Sequence, residues 1–538
     1  MAFLLGLAPV FGVLALNPLN RVYSHHGLIH TSIIYRILHT DLPPTHPFLG
    51  DQPLPYYWGY HYLAAQFVAM GFAPSWAGVL INMGALTGSM LAAWWIAKQF
   101  VRSRGPSERP GSRFWMILAS AFGALCAPSF LPAGLMTDWV GVPFGMTFFD
   151  PRGLPAVVKF VNQSGMPLGI LFSLTWMASL IGYYGERKRL AFAAGLGFSL
   201  LACSFFYPPM LPSLVLGTPV VAVLFIWSGS LEQRPTLWKR GLSICVVGAI
   251  SVLVTFPYLL QVAESLRGNT KIFDLAAGSE GLVWAALISL PTLGYLYLRR
   301  DSARQGLERA PMLVFLGVFL SSLWLYLTLS QPLRTEYKYL SVAMLALGFA
   351  GGGLLAVTWC RKSWVSWTLA AVFLLTPSYS LLKKLNYHTD WGTRFEEVGR
   401  DLRFTNQEAK AELFDWIRSS TEPNALFLDP TGLVPVYGQR GALISPDERG
   451  TIGFGGNPYE FLAVHDRQLL DSRLQVLEGS ASRELTRESI PEGYPVYLIV
   501  DRSDYKGAAV DTDLWRHVHH TKQMRFWIFA WQAAGQGD

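Results

Sequence analysis

The sequence predicts a polytopic α-helical membrane protein with about 11 transmembrane helices and a C-terminal extracytoplasmic α/β domain. Hydrophobic residues make up 51% of the 538 residues and charged residues only 15%, whereas soluble domains carry about 25% charged residues. Apolar runs of membrane-spanning length recur along residues 1–382. The net charge of +7 is then explained by basic cytoplasmic loops, and no nucleic-acid partner is expected.

The predicted spans follow from the length of the apolar runs, because crossing a bilayer takes about 17–25 residues. A shorter run, AFLLGLAPVFGVLALNP, stands at the start of the sequence. We interpret it as a signal anchor that serves as the first helix, or as a sign that the true start lies upstream. The other predicted spans lie near residues 76–101, 114–132, 164–185, 190–206, 208–229, 241–263, 281–298, 311–330, 339–360 and 364–382.

The loops between the spans predict the orientation. Clusters of Lys and Arg mark the cytoplasmic side of membrane proteins, and five loops carry such clusters: 102–113, 186–189, 231–240, 299–309 and 361–362. The loops 17–75, 133–163, 264–280 and 331–338 are then predicted to lie on the outer side of the membrane, together with everything after 383. This assignment requires that YYWGYHYLAAQFVAMGF (56–72) does not cross, so we predict that it lies as a helix in the membrane interface, where Tyr and Trp are enriched.

Residues 383–538 have the mixed charge of a separate domain. The segment AKAELFDWIRSS has helical spacing of apolar residues, and NALFLDP and PVYLIVD are typical of buried strands. We therefore predict a transmembrane domain at 1–382 and a small α/β domain at 383–538. The HVHH run at 517–520 is predicted to be a solvated loop.

The first outer loop holds most of the groups capable of chemistry. Apolar spacing from Leu28 to Leu38 predicts a short interfacial helix, on which His26 and His30 share one face. With Asp51 they could hold a divalent metal such as Mg or Mn. The alternative is that the histidines and aromatic residues are interface anchors beside lipid headgroups. Six of the chain's 11 His lie here, at His25, His26, His30, His39, His46 and His61.

The order of features in this region resembles that of a known enzyme family. An acid-bearing outer loop, a short helix and a Pro-rich segment precede PLPYYWGYHYL and a long apolar span that ends in basic residues. This resembles the GT-C superfamily of polyprenyl-phosphate-dependent glycosyltransferases. Its lipid A aminoarabinose transferases and protein O-mannosyltransferases carry a similar "KPPLYYW" segment. The resemblance implies a GT-C-like transmembrane domain at 1–382.

The resemblance also implies catalytic residues. In this family a first-loop carboxylate acts as general base or holds a metal that orients the donor phosphate. Asp51 precedes PLPYYW, where relatives place a second acid. The position of the first family acid falls at or beside His26, where this chain has no acid. Either His26 acts as base, for which imidazole suits neutral pH, or Asp41 substitutes, or the chain is not a standard transferase.

Groups for the lipid-linked phosphate are expected on the outer side. QPLRTEYKYL (331–340) places Arg334 and Lys338 near hydrocarbon, where charges are costly unless used. By the resemblance, a basic residue here contacts the phosphate, and Arg152 and Tyr57 are further candidates for the donor site. The alternative interpretation is that the charges of 331–340 are snorkelling anchors.

The predicted function is transfer of a sugar from a polyprenyl-phosphate donor to an extracytoplasmic glycan, lipid or protein, and the resemblance implies inversion at the anomeric centre. The predicted location is the plasma (inner) membrane, and no cofactor other than a possible metal is expected. The alternatives are a non-catalytic GT-C-like lipid-binding or scaffold protein of the cell envelope, and a transporter. Charges gathered in loops rather than at the membrane midplane argue against the transporter.

Overall fold

The computed structural model divides the chain into two compact units. The first comprises Met1–Ala15, Val79–Gln261 and Thr270–Thr389, and the second comprises Leu16–Gly78, Val262–Asn269 and Asp390–Asp538. The predicted division at 382/383 stays a prediction. The structure describes residues 25–54, 56–102, 110–126, 160, 164–185, 189–265, 309–329, 338–339, 341–349, 407–444, 464–503, 505 and 509–532.

The first unit is built of apolar helices. Among the described residues five helices are long and apolar enough to cross a membrane, so the expected total of about 11 is unconfirmed. The predicted spans at 2–18, 281–298 and 364–382 lie outside the described residues. In chain order the helices are α3 (Pro74–Arg102), which begins in the second unit, α4 (Pro110–Cys126), α5 (Met166–Gly185), α6 (Arg189–Phe206), α7 (Leu211–Ser228), α8 (Arg234–Ser265) and α9 (Arg309–Thr328).

Small residues and one polar pair join these helices closely. An added Cβ at Gly217 of α7 would lie 2.7 Å from the Trp176 ring of α5. The same Trp176 donates from its indole nitrogen to Thr218 Oγ1 at 3.1 Å. Close approach over small residues is the usual way in which helices pack in lipid. Large apolar side chains such as Leu190 and Phe198 are exposed on the outside of the unit, as a lipid-facing surface requires.

The second unit begins with the first loop. It contains α1 (His25–His39), the short strands β1 (Thr45–His46) and β2 (Leu49–Pro53), and α2 (Gly59–Ala69). The helix predicted from Leu28 to Leu38 is thus confirmed. With 11 residues, α2 is about 16 Å long at 1.5 Å per residue. That is about half of the hydrocarbon thickness, as expected for a helix that does not cross.

The C-terminal part of this unit is an α/β fold around a five-stranded mixed sheet. The elements are α10 (Gln407–Ser420), β3 (Leu426–Leu428), β4 (Gly441–Ile444), α11 (Val464–Glu478), α12 (Arg483–Ser489), β5 (Val496–Asp501), β6 (Trp515–His520) and β7 (Phe526–Trp531). The strand order is β4-β3-β5-β7-β6, with β4, β3 and β5 parallel and β7 antiparallel to both neighbours. The predicted helix and both predicted strands are confirmed as α10, β3 and β5.

Alternating apolar residues of the sheet fill two cores, one on each face. Phe427 and Ile499 pack with α10 on one face. Leu426 and Leu498 pack on the other with α11 and also with Leu49 of the first loop. The first loop is therefore part of the hydrophobic core of the C-terminal fold, which fixes the position of β2.

The HVHH run is not a loop, and that prediction was wrong. It forms β6, the edge strand that pairs with the aromatic strand β7. The His519 ring stacks on Trp416 with centroids 4.8 Å apart. Pairing with β7 and packing on α10 outweigh the low apolar content of the strand, because an edge strand can expose every second side chain to water.

Candidate functional site

The two helices of the first loop are joined by a buried pair of histidines. His30 of α1 and His61 of α2 lie 2.6 Å apart, Nδ1 to Nε2, and their rings stack with centroids 4.9 Å apart. Both side chains are buried. Tyr60 packs edge-on against both rings and Tyr56 against His61. Two aromatic rings, of Tyr56 just before α2 and of Tyr60 within it, thus pack against the histidine pair.

Burial keeps two histidines of the loop neutral. It lowers the pKa of His61 to about 3, and a hydrogen bond with the Tyr57 backbone only partly opposes this. Burial, reinforced by the positive charge of Arg36, also lowers the pKa of His46 to about 3. The Phe48 amide donates to His46 Nδ1 at 3.0 Å, which requires an unprotonated ring nitrogen. Neither imidazole carries a charge at pH 7.

Asp51 on β2 is bound by an arginine from a distant part of the chain. Arg473 of α11 donates from Nη1 to Asp51 Oδ1 at 2.8 Å, and from Nη2 to Oδ2. Its Nε donates to the Ser489 carbonyl at 2.9 Å. The Arg473 side chain is only 1% exposed and that of Asp51 is 13% exposed. This bidentate pair fixes the orientation of the Asp51 carboxylate.

A second buried arginine holds the backbone beside Asp51. Arg36 of α1 donates to Thr45 Oγ1 at 2.7 Å and to the Gly50 carbonyl at 2.8 Å. A Cβ at Gly50 would lie 2.2 Å from Leu426 Cδ2, so only glycine lets β2 approach β3 this closely. Burial lowers the pKa of Arg36 to about 10, against the charges of Tyr494 and Asp51. Arg36 is still positively charged at pH 7.

The other predicted first-loop residues are placed as follows. Asp41 is exposed just after α1. Tyr57 is buried and its hydroxyl accepts a hydrogen bond from Tyr56 at 2.9 Å. His26 lies in α1, but its side chain is outside the described part of the structure. Within the described residues no group of three or more His, Cys, Asp or Glu could hold a metal.

The first unit holds a buried lysine over an aromatic ring. Lys338 is 6% exposed, and its ammonium lies 5.2 Å from the centroid of the Tyr207 ring. Tyr207 precedes the turn Pro208–Met210 between α6 and α7. A Cβ at Gly169 would lie 2.5 Å from Tyr207 Cδ1, so this glycine at the start of α5 makes room for the ring. Arg334 and Arg152 lie outside the described residues.

The sequence did not predict two pairings of these sites, that of His61 with His30 and that of Arg473 with Asp51. His61 belonged to the recognised cluster of first-loop histidines, but nothing in its spacing paired it with His30. Arg473 lies 422 residues from Asp51, in a helix that shows only ordinary amphipathic spacing. No local pattern links such a pair, so only the tertiary structure identifies it.

Comparison with known proteins finds similarity in structure. No protein-family model matches the chain, and no curated protein matches it in sequence. ArnT from Cupriavidus metallidurans in the apo state is similar with a TM-score of 0.48 and 12% identity, over 98% of this chain and 97% of that chain. ArnT bound to undecaprenyl phosphate gives a TM-score of 0.47 and 11% identity, over 100% and 99%.

A third similar structure is the archaeal oligosaccharyltransferase AglB from Archaeoglobus fulgidus, in complex with an inhibitory peptide and a dolichol-phosphate. Its TM-score is 0.42 at 10% identity, over 93% of this chain and 69% of that chain. One of these structures holds undecaprenyl phosphate and another a dolichol-phosphate, and the sequence itself resembles polyprenyl-phosphate-dependent glycosyltransferases. With TM-scores below 0.5, these structural likenesses assign no function to this chain.

Proposed function

We propose that this membrane protein is a GT-C-type glycosyltransferase that moves a sugar from a polyprenyl-phosphate donor to an extracytoplasmic acceptor. The observation that supports this most directly is the buried Lys338 at the Tyr207 turn. The positive-inside rule predicts that this turn is on the outer side, because the basic loops 186–189 and 231–240 lie on either side of it in the chain. The phosphate of a lipid-linked donor lies at the outer face of the membrane, where it can contact this turn.

Lysine at this position fits the phosphate of the donor. A cation in a membrane domain is costly and marks a functional site by default. The negative face of the Tyr207 ring contacts the ammonium. The anion that pairs with the ammonium is the phosphate of the donor, at the outer face of the membrane. In the transfer, the acceptor oxygen or nitrogen bonds to the anomeric carbon and the bond from that carbon to the phosphate oxygen breaks. Lys338 stabilises the negative charge that develops on the departing phosphate.

The general base is assigned to the first loop. Asp51 and His26 are the two candidates, with Asp41 as a third. Both oxygens of the Asp51 carboxylate accept hydrogen bonds from Arg473, so Asp51 is engaged in a structural ion pair. We therefore propose that Asp51 is a positioning residue and that His26 takes the proton of the acceptor. Single displacement would invert the anomeric centre.

The test is a transfer assay with the full chain in lipid. Purified protein receives radiolabelled polyprenyl-phosphate sugars, and release of polyprenyl phosphate is measured. We expect Lys338→Ala to lower kcat/KM about 10²–10³-fold, as for loss of a donor to a developing oxyanion. The matched control is Lys98→Ala, because Lys98 is an exposed lysine of α3. Unchanged turnover by Lys338→Ala would contradict the assignment.

A parallel binding measurement separates the enzyme from the lipid-binding alternative. We expect the wild type to bind polyprenyl phosphate without sugar, and Lys338→Ala to bind it about tenfold more weakly. Lys338-dependent binding without transfer from any donor would support a non-catalytic lipid-binding protein. If Lys338→Ala binds polyprenyl phosphate as tightly as the wild type, the proposed phosphate site at Lys338 is excluded.

A further inference from the structure

The first unit contains a cavity at the opposite ends of the helices from Tyr207. Helix α5 starts at Met166, near Tyr207, and its other end, at Gly185, lines a cavity of about 460 Å³. The C-terminal end of α7 and the N-terminal ends of α8 and α9 complete it. Its polar lining groups include Tyr184, Ser228, Glu232, Thr236 and Arg240, and Phe225 forms an apolar wall.

Arg240 places a guanidinium group in the lining of this cavity. Within the described residues no carboxylate pairs with its guanidinium, and its buried Nε has no hydrogen-bond partner. The buried Tyr184 hydroxyl also has no partner there, although its ring is held in a parallel stack on Phe225 at 3.8 Å. Buried donors without a hydrogen-bond partner lower the stability of the fold unless a ligand accepts their hydrogen bonds.

Glu232 adds the opposite charge at the rim of the same cavity. It is exposed and forms no ion pair with Arg240. Two opposite charges that line one cavity without touching each other match a ligand that carries both charges. A simple anion such as a free phosphate would satisfy Arg240 and be repelled by Glu232.

The surroundings place the cavity at the level of lipid head groups. Trp227 and Trp238, which flank its lining residues in sequence, are 77% and 62% exposed. Tryptophan is enriched at membrane interfaces. The basic residues of 231–240 belong to this end of the helices, as do Arg189 at the start of α6 and Arg309 at the start of α9. Around the cavity, exposed apolar rings and cations therefore occur together, as at a lipid–water boundary.

We propose that this cavity binds the head group of a zwitterionic aminophospholipid, a phosphodiester joined to a primary ammonium. Arg240 and the Tyr184 hydroxyl donate to the phosphate oxygens, with Ser228 and Thr236 as further hydroxyl donors. Glu232 accepts from the ammonium. The site is separate from the Lys338 site and does not depend on the glycosyltransferase function.

The test compares three lipids with identical acyl chains on the delipidated full-length protein, by native mass spectrometry. Phosphatidylethanolamine carries both charges, phosphatidylcholine has an ammonium without N–H donors, and phosphatidylglycerol has no ammonium. We expect the wild type to retain phosphatidylethanolamine about tenfold better than the other two. Equal or better retention of phosphatidylglycerol would overturn the proposal.

Substitutions test the proposed roles of Glu232 and Arg240 separately. Glu232→Gln should abolish the preference for phosphatidylethanolamine, whereas Glu232→Asp should keep it. Arg240→Ala should lower retention of all three lipids, and Lys239→Ala, which removes a neighbouring exposed cation, should match the wild type. If Arg240→Ala does not fold, Tyr184→Phe is the second test, with a several-fold loss of retained lipid expected at an unchanged unfolding temperature. Retention that is unaltered in Glu232→Gln, or in both Arg240→Ala and Tyr184→Phe, would overturn the assignment.

Discussion

The buried arginines of the second unit and Arg240, which lines the cavity of the first unit, differ in the protein groups that they bind. Arg473 donates three hydrogen bonds, two of them to the Asp51 carboxylate. Arg36 donates to a hydroxyl and to the Gly50 carbonyl, although its buried Nη1 has no partner among the described residues. Arg240 also leaves its buried Nε without a partner there, and it pairs with no carboxylate of the described residues.

This difference separates structural charges from binding charges. An arginine that donates to several protein oxygen atoms holds the fold, because its removal leaves those atoms unpaired. An arginine with spare donors beside a cavity costs stability and is explained by a ligand. Substitutions in the second unit should therefore lower stability, and those in the first unit should mainly change binding or activity.

Removal of Arg473 is expected to have the largest effect on stability. Arg473→Ala leaves Asp51 as an unpaired and largely buried carboxylate and should cost about 3–5 kcal/mol. The measurement is thermal unfolding of the solubilised protein, with hydrogen exchange of β2 as the local readout.

The matched control for this pair replaces both charges by apolar groups. Arg473→Met with Asp51→Leu should recover most of the stability, because no charge is then left unpaired. If Arg473→Ala alone leaves the exchange of β2 unchanged, the pair does not hold the first loop to the sheet.

Acid should destabilise the second unit through its buried histidines. The folded-state pKa of His46 is about 3, below the ordinary value of about 6.5. Between these values the unfolded chain binds a proton that the folded chain does not, so stability falls as pH falls. At pH 5 the loss is about 2 kcal/mol for this one group. His61, with a pKa of about 3, contributes in the same direction.

Unfolding measured between pH 7 and pH 5 checks this, with His46→Asn as the comparison. The Asn side-chain oxygen can accept the hydrogen bond of the Phe48 amide without titrating. The slope of stability with pH should therefore decrease by up to about 1.4 kcal/mol per pH unit. An identical slope in the variant would show that His46 is protonated in the folded protein.

The sequence predicted local elements much better than the contacts between them. The spacing of apolar residues located α1, α10, β3 and β5, because a helical period or a short continuous apolar run is visible within a few consecutive residues. It did not locate β6, whose stability comes from β7 and Trp416. The sequence drew attention to Asp51 and to the first-loop histidines, His61 among them, and their functional roles stay predictions. The pairing of Asp51 with Arg473 and of His30 with His61 could not be inferred, since pairing across long stretches of chain leaves no periodic signal.

A small change beneath the Tyr207 ring should separate activity from stability in the first unit. In Gly169→Ala the new Cβ would lie 2.5 Å from Tyr207 Cδ1 and 2.9 Å from Met210 Sδ. The ring must shift, which changes its contact with Lys338, at a cost to stability of about 1–3 kcal/mol. We expect a larger proportional loss in polyprenyl-phosphate binding than in unfolding temperature. Gly84→Ala is the control, because a Cβ there meets nothing within 4 Å.

The smallest effect on stability is expected at Arg240. In the absence of added lipid, Arg240→Ala removes a guanidinium that pairs with no carboxylate of the described residues, so the free energy of unfolding should change by less than about 0.5 kcal/mol. Thermal unfolding of the delipidated protein measures this beside Arg473→Ala. Phosphatidylethanolamine should then raise the unfolding temperature of the wild type and not that of the variant, because a ligand stabilises only the state that binds it. A loss as large as that at Arg473 would mean that Arg240 holds the fold, and the distinction between the two arginines would fail.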